Sequence, residues 1–405
     1  MKKALALTLS LVMAASLSLA GCGSSTDTAT DDTAAEAEGE EASSSDSGDV
    51  IKIGVLEPIT GSYAAGGAIE IEGIEIANSE RPTVTVDGTE YTIELVQADN
   101  KSDKVEAATA AQRLIENDNV TAIIGSYSSV PSVGASEAVK AGETPTVGVS
   151  CTNPLVTEGN DWYFRVCFID PYQGTVMAHY AYEELGATKV GVAYDVASDY
   201  STGLAQYFME EFKNLTGDED SIVEATYQTG DQDFSAQITN LAAAEPDCFF
   251  VPGNYTECAL LIKQARQQGV ELPMLGGDTF EINDFLEVGG DEVDGTVFST
   301  FFDSNAELSS KTGEFVANYR EANGTEPAGV TALAYDAYML ICDALESCGS
   351  TDRAALRDAI VAIQYEGVTG LTAFDENGDP SKPAVIKVAN TADQTFDYVT
   401  TISVE

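Results

Sequence analysis

Between residues 50 and 300 the chain alternates short apolar runs with helix-length segments of mixed polarity. Apolar runs fall at 51–57, 121–125, 146–149, 189–194, 222–227, 248–251, 274–276 and 295–301. Those at 121–125 and 146–149 are continuous rather than alternating, as expected for strands buried on both faces of a parallel sheet. Segments 68–78, 103–116, 132–141, 201–215, 234–244 and 257–268 are the predicted crossover helices. The first is ambiguous, because isoleucines at 69, 71, 74 and 76 fit neither period; it is read as helix because a parallel crossover is needed there. Residues 83–86 and 90–96, joined by Asp87-Gly88, predict a hairpin. Residues 162–168 predict a connecting strand, and Asp170-Pro171 opens a helix. Further helices are expected at 307–322, 328–347 and 352–363, and closing strands at 384–388 and 396–404. Two such βαβ series predict an α/β fold of two Rossmann-like lobes with parallel sheets, facing each other across a cleft.

The loops that follow the strands carry the candidate chemistry. After 121–125 come Ser126, Tyr127, Ser128 and Ser129; after 146–149 come Ser150, Cys151, Thr152 and Asn153. Ligands of open α/β sheets bind beyond the carboxyl ends of the strands. Hydroxyls and free backbone N–H groups at a helix start make a neutral cradle for a carboxylate. Serine and threonine are also ordinary loop and cap residues, so their partners decide the reading. In the second series the corresponding loops offer Tyr200, Asn254, Tyr255 and Asp278. A carboxylate and tyrosine faces suit an ammonium group. Together the two sets complement an α-amino acid zwitterion.

Catalytic patterns are missing from the sequence. The single histidine, His179, lies in the helical run MAHYAYEEL, and no G-x-S-x-G, H-E-x-x-H or Walker pattern occurs. The glycines from Gly61 to Gly67 lack dinucleotide-binding spacing. Asp99–Asp103 and Asp375–Asp379 resemble fragments of calcium loops but fail the ligand pattern and read as turns. No enzyme, metal or cofactor is expected, a surface hydrolase using paired carboxylates being the weakest alternative.

Composition adds an address. Lys2-Lys3, an apolar run over 4–20 and Leu19-Ala20-Gly21-Cys22 read as a signal peptide ending in a lipobox-like site. Residues 1–21 are the expected signal and Cys22 the expected lipidation site. Residues 22–49, almost all small or acidic, are the expected disordered tether. Without Lys2 and Lys3, 17 basic residues face 67 acidic ones, a formal charge of −50. That excludes nucleic acid and anionic membrane surfaces as partners. Six further cysteines show no zinc spacing; Cys342 and Cys348 are near enough to bridge.

The runs IKIGVLEPITG (51–61), AIIGSYSS (122–129), PTVGVSCTNP (145–154), DYSTGLA (199–205), GDQDFS (230–235) and LIKQARQQG (261–269) resemble the leucine/isoleucine/valine-binding proteins of ABC importers. The likeness spans the chain from Ile51 to the C-terminus. It implies a type I periplasmic-binding fold with a three-strand hinge, crossing near Ile169-Asp170, Thr300 and Pro380. One lobe would be 50–169 with 300–380, the other 170–299 with 381–405. It further implies Ser129, Ser150, Cys151 and Thr152 around a ligand carboxylate, and Tyr200, Tyr255 and Asp278 around its ammonium. A tyrosine common in the family aligns with Gly66, although Tyr63 lies close by. Tyr127 stands where a smaller apolar residue is usual, so Tyr63 and Tyr127 are expected to shape the side-chain pocket. The implied role is capture of a branched-chain or related amino acid by a monomer and its delivery to ABC permease subunits. The chain would be exported and held by its lipid to the outer face of the cytoplasmic membrane. An amide, urea or aromatic acid is the alternative ligand.

Overall fold

A computed structural model describes residues 49–403. Two sheets divide the chain. The first contains β1 (Val50–Glu57), β2 (Thr83–Val86), β3 (Thr89–Asp99), β4 (Ala122–Ile124), β5 (Thr146–Gly148) and β6 (Tyr163–Arg165), in the order β2-β3-β1-β4-β5-β6. All neighbours are parallel except the β2–β3 hairpin. Its turn is Asp87-Gly88, both at positive φ (48° and 80°), which matches the twist of the flanking strands. The second contains β7 (Val190–Asp195), β8 (Ile222–Tyr227), β9 (Cys248–Phe250), β10 (Met274–Gly276) and β11 (Val297–Thr300). A small hairpin, β12 (Tyr365–Gly367) with β13 (Gly370–Thr372), stands apart, and β14 (Ala384–Asn390) and β15 (Thr395–Ile402) close the second sheet antiparallel. Its order is β15-β14-β11-β10-β9-β7-β8. The chain passes to the second sheet after β6, leaves it after β11 for the side of the first sheet, where Gly329–Cys348 packs against Ala64–Glu80, and returns before β14.

Helices α1 (Ala64–Glu80), α2 (Lys104–Gln112), α3 (Ser129–Ala141) and α4 (Asp170–His179) follow in the first half. Next come α5 (Asp199–Thr216), α6 (Ser235–Ala243), α7 (Tyr255–Gln267) and α8 (Asn283–Gly289), then α9 (Thr312–Asn323), α10 (Gly329–Cys348) and α11 (Arg353–Ala362). The ambiguous isoleucine segment is indeed helical. Its buried line is Gly66, Gly67, Glu70, Gly73, Ile74 and Ala77, so Ile74 alone of the four isoleucines is fully buried, and Gly73 gives the close approach to Thr331 and Ala334 of α10. Strands β1, β4 and β5 are buried almost throughout, the reason their sequences run apolar without alternation.

Several boundaries shift. Helix α3 starts at Ser129, three residues before the expected 132, so Ser129 is a first-turn helical residue and Pro131 follows within that turn, where proline is tolerated. The expected strand over 162–168 shortens to β6. The hairpin β12–β13 has no counterpart in the sequence expectations. Cys342 and Cys348 do not bridge, and all six cysteines among the described residues are free. His179 is a surface residue whose Nδ1 lies 2.8 Å from Glu183 Oε1. Asp99 and Asp375 turn their carboxylates onto local backbone N–H groups, as turn residues do. Signal, tether and Cys22 lie outside the described residues.

Candidate functional site

In the first sheet β1, β4 and β5 are adjacent, so the loops leaving their carboxyl ends lie side by side. Ser129 opens α3 and is buried; its Oγ accepts the N–H of Asn153 at 3.0 Å. The serine O–H thus remains free to donate. Thr152 is fully buried, and its Oγ1 makes no well-aligned hydrogen bond among the described residues, the nearby acceptor being the carboxyl of Asp170. Such an orphaned hydroxyl costs about 1–3 kcal/mol unless something pairs with it. Ser150 and Cys151 are engaged elsewhere. The Ser150 hydroxyl donates to Glu70, and the Cys151 thiol lies beside Cys167, beneath Gly148.

In the second sheet β10, β9 and β7 are adjacent and bring Asp278, Tyr255 and Tyr200 to one edge. Asp278 Oδ1 accepts from Gln173 Nε2 and from Tyr200 Oη, each at 2.9 Å. Burial pushes its carboxyl up to about 6, against the lowering pull of those two donors. Tyr255 does something other than stack: its Oη donates to the Ser62 carbonyl at 3.1 Å, a contact from α7 to the loop ahead of α1. Two more links join the halves, Asn153 Nδ2 to the Asp199 carbonyl at 2.8 Å and an ion pair between Lys104 and Asp199.

Tyr127 and Tyr63 stand between the two sets. Tyr127 donates its N–H to Glu57 Oε2 at 2.7 Å and lays its ring tip against Gly66. A β-carbon at Gly66 would sit 2.3 Å from Tyr127 Cζ, so the glycine is what lets this ring in. Burial raises the Tyr127 phenol well above its usual range, with Asp278, Tyr255, Glu70 and Tyr63 adding to the shift in that order. The phenol therefore faces the acid of the opposite half. Tyr63 is likewise buried, with Ser128 and Ser198 beside its hydroxyl. The structure thus brings Ser129, Thr152, Tyr127, Tyr63, Tyr200 and Asp278 to facing edges and places Tyr255 at a lobe–lobe contact. A groove of about 300 Å³ near Arg81 and Tyr365, and another of about 400 Å³ near Phe168 and Lys382, lie away from these loops.

A family model for the periplasmic binding proteins matches residues 50–393. The chain belongs to that family. It is 28% identical to Leu/Ile/Val-binding protein homolog 1 of Brucella melitensis over 86% of this chain and 93% of that protein. Among solved structures it is similar to a leucine-binding protein of Thermotoga maritima, with TM-score 0.83 and 40% identity over 87% of this chain and 99% of that one. It is also similar to a branched-chain amino acid transporter substrate-binding protein of Streptococcus pneumoniae in complex with isoleucine. There the TM-score is 0.78 and the identity 30%, over 87% and 99% of the two chains. The fold is accordingly the type I periplasmic-binding fold of two α/β lobes. No helix among the described residues is long and apolar enough to cross a membrane.

In this periplasmic binding protein three further residues beside the candidate site were missed by sequence reasoning. Asp170, first residue of α4, is fully buried, and neither carboxyl oxygen has a hydrogen-bond partner among the described residues. Burial pushes it up to about 8, with Thr152 and Asn153 close enough to pull it back. Gln173, one turn on, holds Asp278 and also donates to Ser299 Oγ at 2.9 Å. Arg165, 0% exposed, pairs with Asp379 at 2.6 Å and donates to the carbonyls of Cys151 and Asn153, which pins the loop carrying Thr152. The only sequence signal for it was a lone arginine in the apolar run WYFRVCF.

Proposed function

We propose that this periplasmic binding protein captures an α-amino acid between its lobes and delivers it to the membrane subunits of an ABC importer. The free O–H of Ser129 and the orphaned hydroxyl of Thr152 supply donors for the carboxylate. Asp278 and Asp170 supply acceptors for the ammonium. The observation that carries the reading is Asp278, a buried acid held by neutral donors at one oxygen and without a cation among the described residues. An ammonium ligand would restore its ionised form. Relatives named for leucine, isoleucine and valine support a branched-chain or related amino acid. Closure would follow from the ligand's contacts with both lobes. Export, lipidation at Cys22 and a monomeric state complete the proposal, on the sequence features described above.

A thermal-shift panel of the twenty amino acids, common amides and benzoate on residues 50–405 tests it. A bound ligand at 100 times its Kd adds about 2.7 kcal/mol to stability. An amino acid should give that shift, and Asp278→Asn should abolish it, since truncating one partner of a buried charge pair costs about 2–5 kcal/mol. A shift for amides or benzoate alone would replace the reading by the alternative ligand class. An unchanged amino-acid shift in Asp278→Asn would remove the acid from the site.

A further inference from the structure

Glu57 closes β1 and Glu70 lies on the inner face of α1; both are 0% exposed. Their carboxyl groups meet. Glu57 Oε2 accepts the Tyr127 N–H, and Glu70 accepts the Ser150 hydroxyl. The two remaining oxygens, Glu57 Oε1 and Glu70 Oε2, have no donor, and neither acid forms an ion pair among the described residues. Several buried acids away from the cleft are treated differently. Asp379 has Arg165, Glu281 and Asp303 share Lys387, and Asp336 has Lys382 close by. Two adjoining buried carboxylates without a cation cannot both stay ionised. One proton between them makes each orphaned oxygen part of a hydrogen bond.

We infer that Glu57 and Glu70 share a single proton and act as positioning residues, tying the loop of Tyr127 and Ser129 and the loop of Ser150 and Thr152 to β1 and α1. The inference rests on the reading of those loops as the ligand's carboxylate cradle. Burial raises Glu57 to about 8 and Glu70 well above the carboxylate range; Cys151 adds to both and Glu57 to Glu70, against the lowering pull of Tyr127, Glu70 and Ser126 on Glu57 and of Ser150 on Glu70. The other titratable groups facing the pair are the Cys151 thiol, lowered by the Cys167 thiol and by Arg165, and the phenols of Tyr127 and Tyr163, both raised by burial and so neutral across this range. Arg165 stands beyond Cys151, committed to Asp379. The sign follows from the raised acid. Unfolding frees the proton once pH exceeds the unfolded carboxylate value, so this contribution to stability falls from about pH 4.5 to about 8 and levels above. A ligand carboxylate nearby tightens the hold on the proton. The pair's own contribution to affinity is then level below about pH 8 and falls above it, by at most about tenfold per pH unit for one proton.

The test compares the native chain with Glu57→Gln, Glu70→Gln and Glu57→Ala. Each glutamine keeps the hydrogen bond to the loop and offers its amide NH2 where the shared proton was. Infrared difference spectra in D2O at pH 7, native minus variant, should show a protonated-carboxyl band lost in both glutamine variants, while the buried Asp170 contributes equally to every form and cancels. No lost band in either difference spectrum overturns the shared proton. Hydrogen exchange of the Tyr127 amide, followed without ligand, should stay slow in Glu57→Gln and speed at least tenfold in Glu57→Ala. Equal protection in the two variants overturns the positioning role. With L-isoleucine as titrant, native affinity should fall more steeply between pH 7 and 9.5 than that of Glu57→Gln, since the ligand's ammonium and Asp170 titrate alike in both forms. Equal slopes in the two overturn the link to binding. No isoleucine binding by any form at any pH sinks the amino-acid reading instead, while band and exchange still decide the pair.

Discussion

Tyr127 and Gly66 show how single residues set the shape of this cleft. In sequence the two looked like independent departures from the family pattern; in the structure they are one arrangement, because the glycine's bare backbone accommodates the ring. Gly66→Ala is therefore expected to destabilise the protein by about 1–3 kcal/mol, the usual cost of forcing an extra carbon into a filled space. Adding Tyr127→Leu should recover most of that loss, and denaturant unfolding of the single and double variants measures it. Additive costs would mean the ring and the glycine do not compete for the same space. Ser129, Thr152 and Asp278 could be singled out from sequence because residues just past strand ends have few other duties. Asp170, Gln173 and Arg165 could not. A helix-opening acid, a mid-helix glutamine and an arginine in an apolar run become site residues only once the strand neighbours are known.

At the scale of elements, strand positions were legible because burial on both faces leaves an unmistakable apolar run. Helix starts were less so: Pro131 drew the expected start of α3 toward itself, whereas the backbone turns helical at Ser129 and takes proline within the first turn. The β12–β13 hairpin was illegible because its strands are three residues each and owe their place to a distant side chain. Asp336 of α10 accepts the N–H groups of Val368 and Thr369 at 2.8 and 2.9 Å and lies fully buried near Lys382. Asp336→Ala would orphan two backbone donors and leave Lys382 buried without its acid. A loss of about 3–5 kcal/mol is expected, as for breaking a buried pair. Proteolysis at the hairpin should accelerate with it. A variant within about 1 kcal/mol of the native protein would show that the hairpin holds itself.

Across the whole molecule, sequence conveyed two lobes and a formal charge of −48 for the full chain, but not how the lobes meet. That contact is made of groups whose partners lie far apart in sequence: Tyr255 with Ser62, Asn153 with Asp199, and Lys104 with Asp199. In so acidic a chain a lysine linking the start of α2 to the start of α5 is an economical tie between halves that otherwise repel. Its strength is bounded by exposure, since the Lys104 side chain is 43% and that of Asp199 25% exposed. Pairs in that setting contribute about 0.2–1 kcal/mol and weaken with salt. Lys104→Ala should therefore shift the ligand-free protein toward open forms, seen as a larger radius of gyration in solution scattering. It should also weaken ligand affinity by no more than about fivefold, because closure free energy is drawn from the same binding free energy. Raising the salt should narrow the gap between native and variant. A gap indifferent to salt, or an unaltered radius, would show that Tyr255 and Asn153 hold the lobes together without the ion pair.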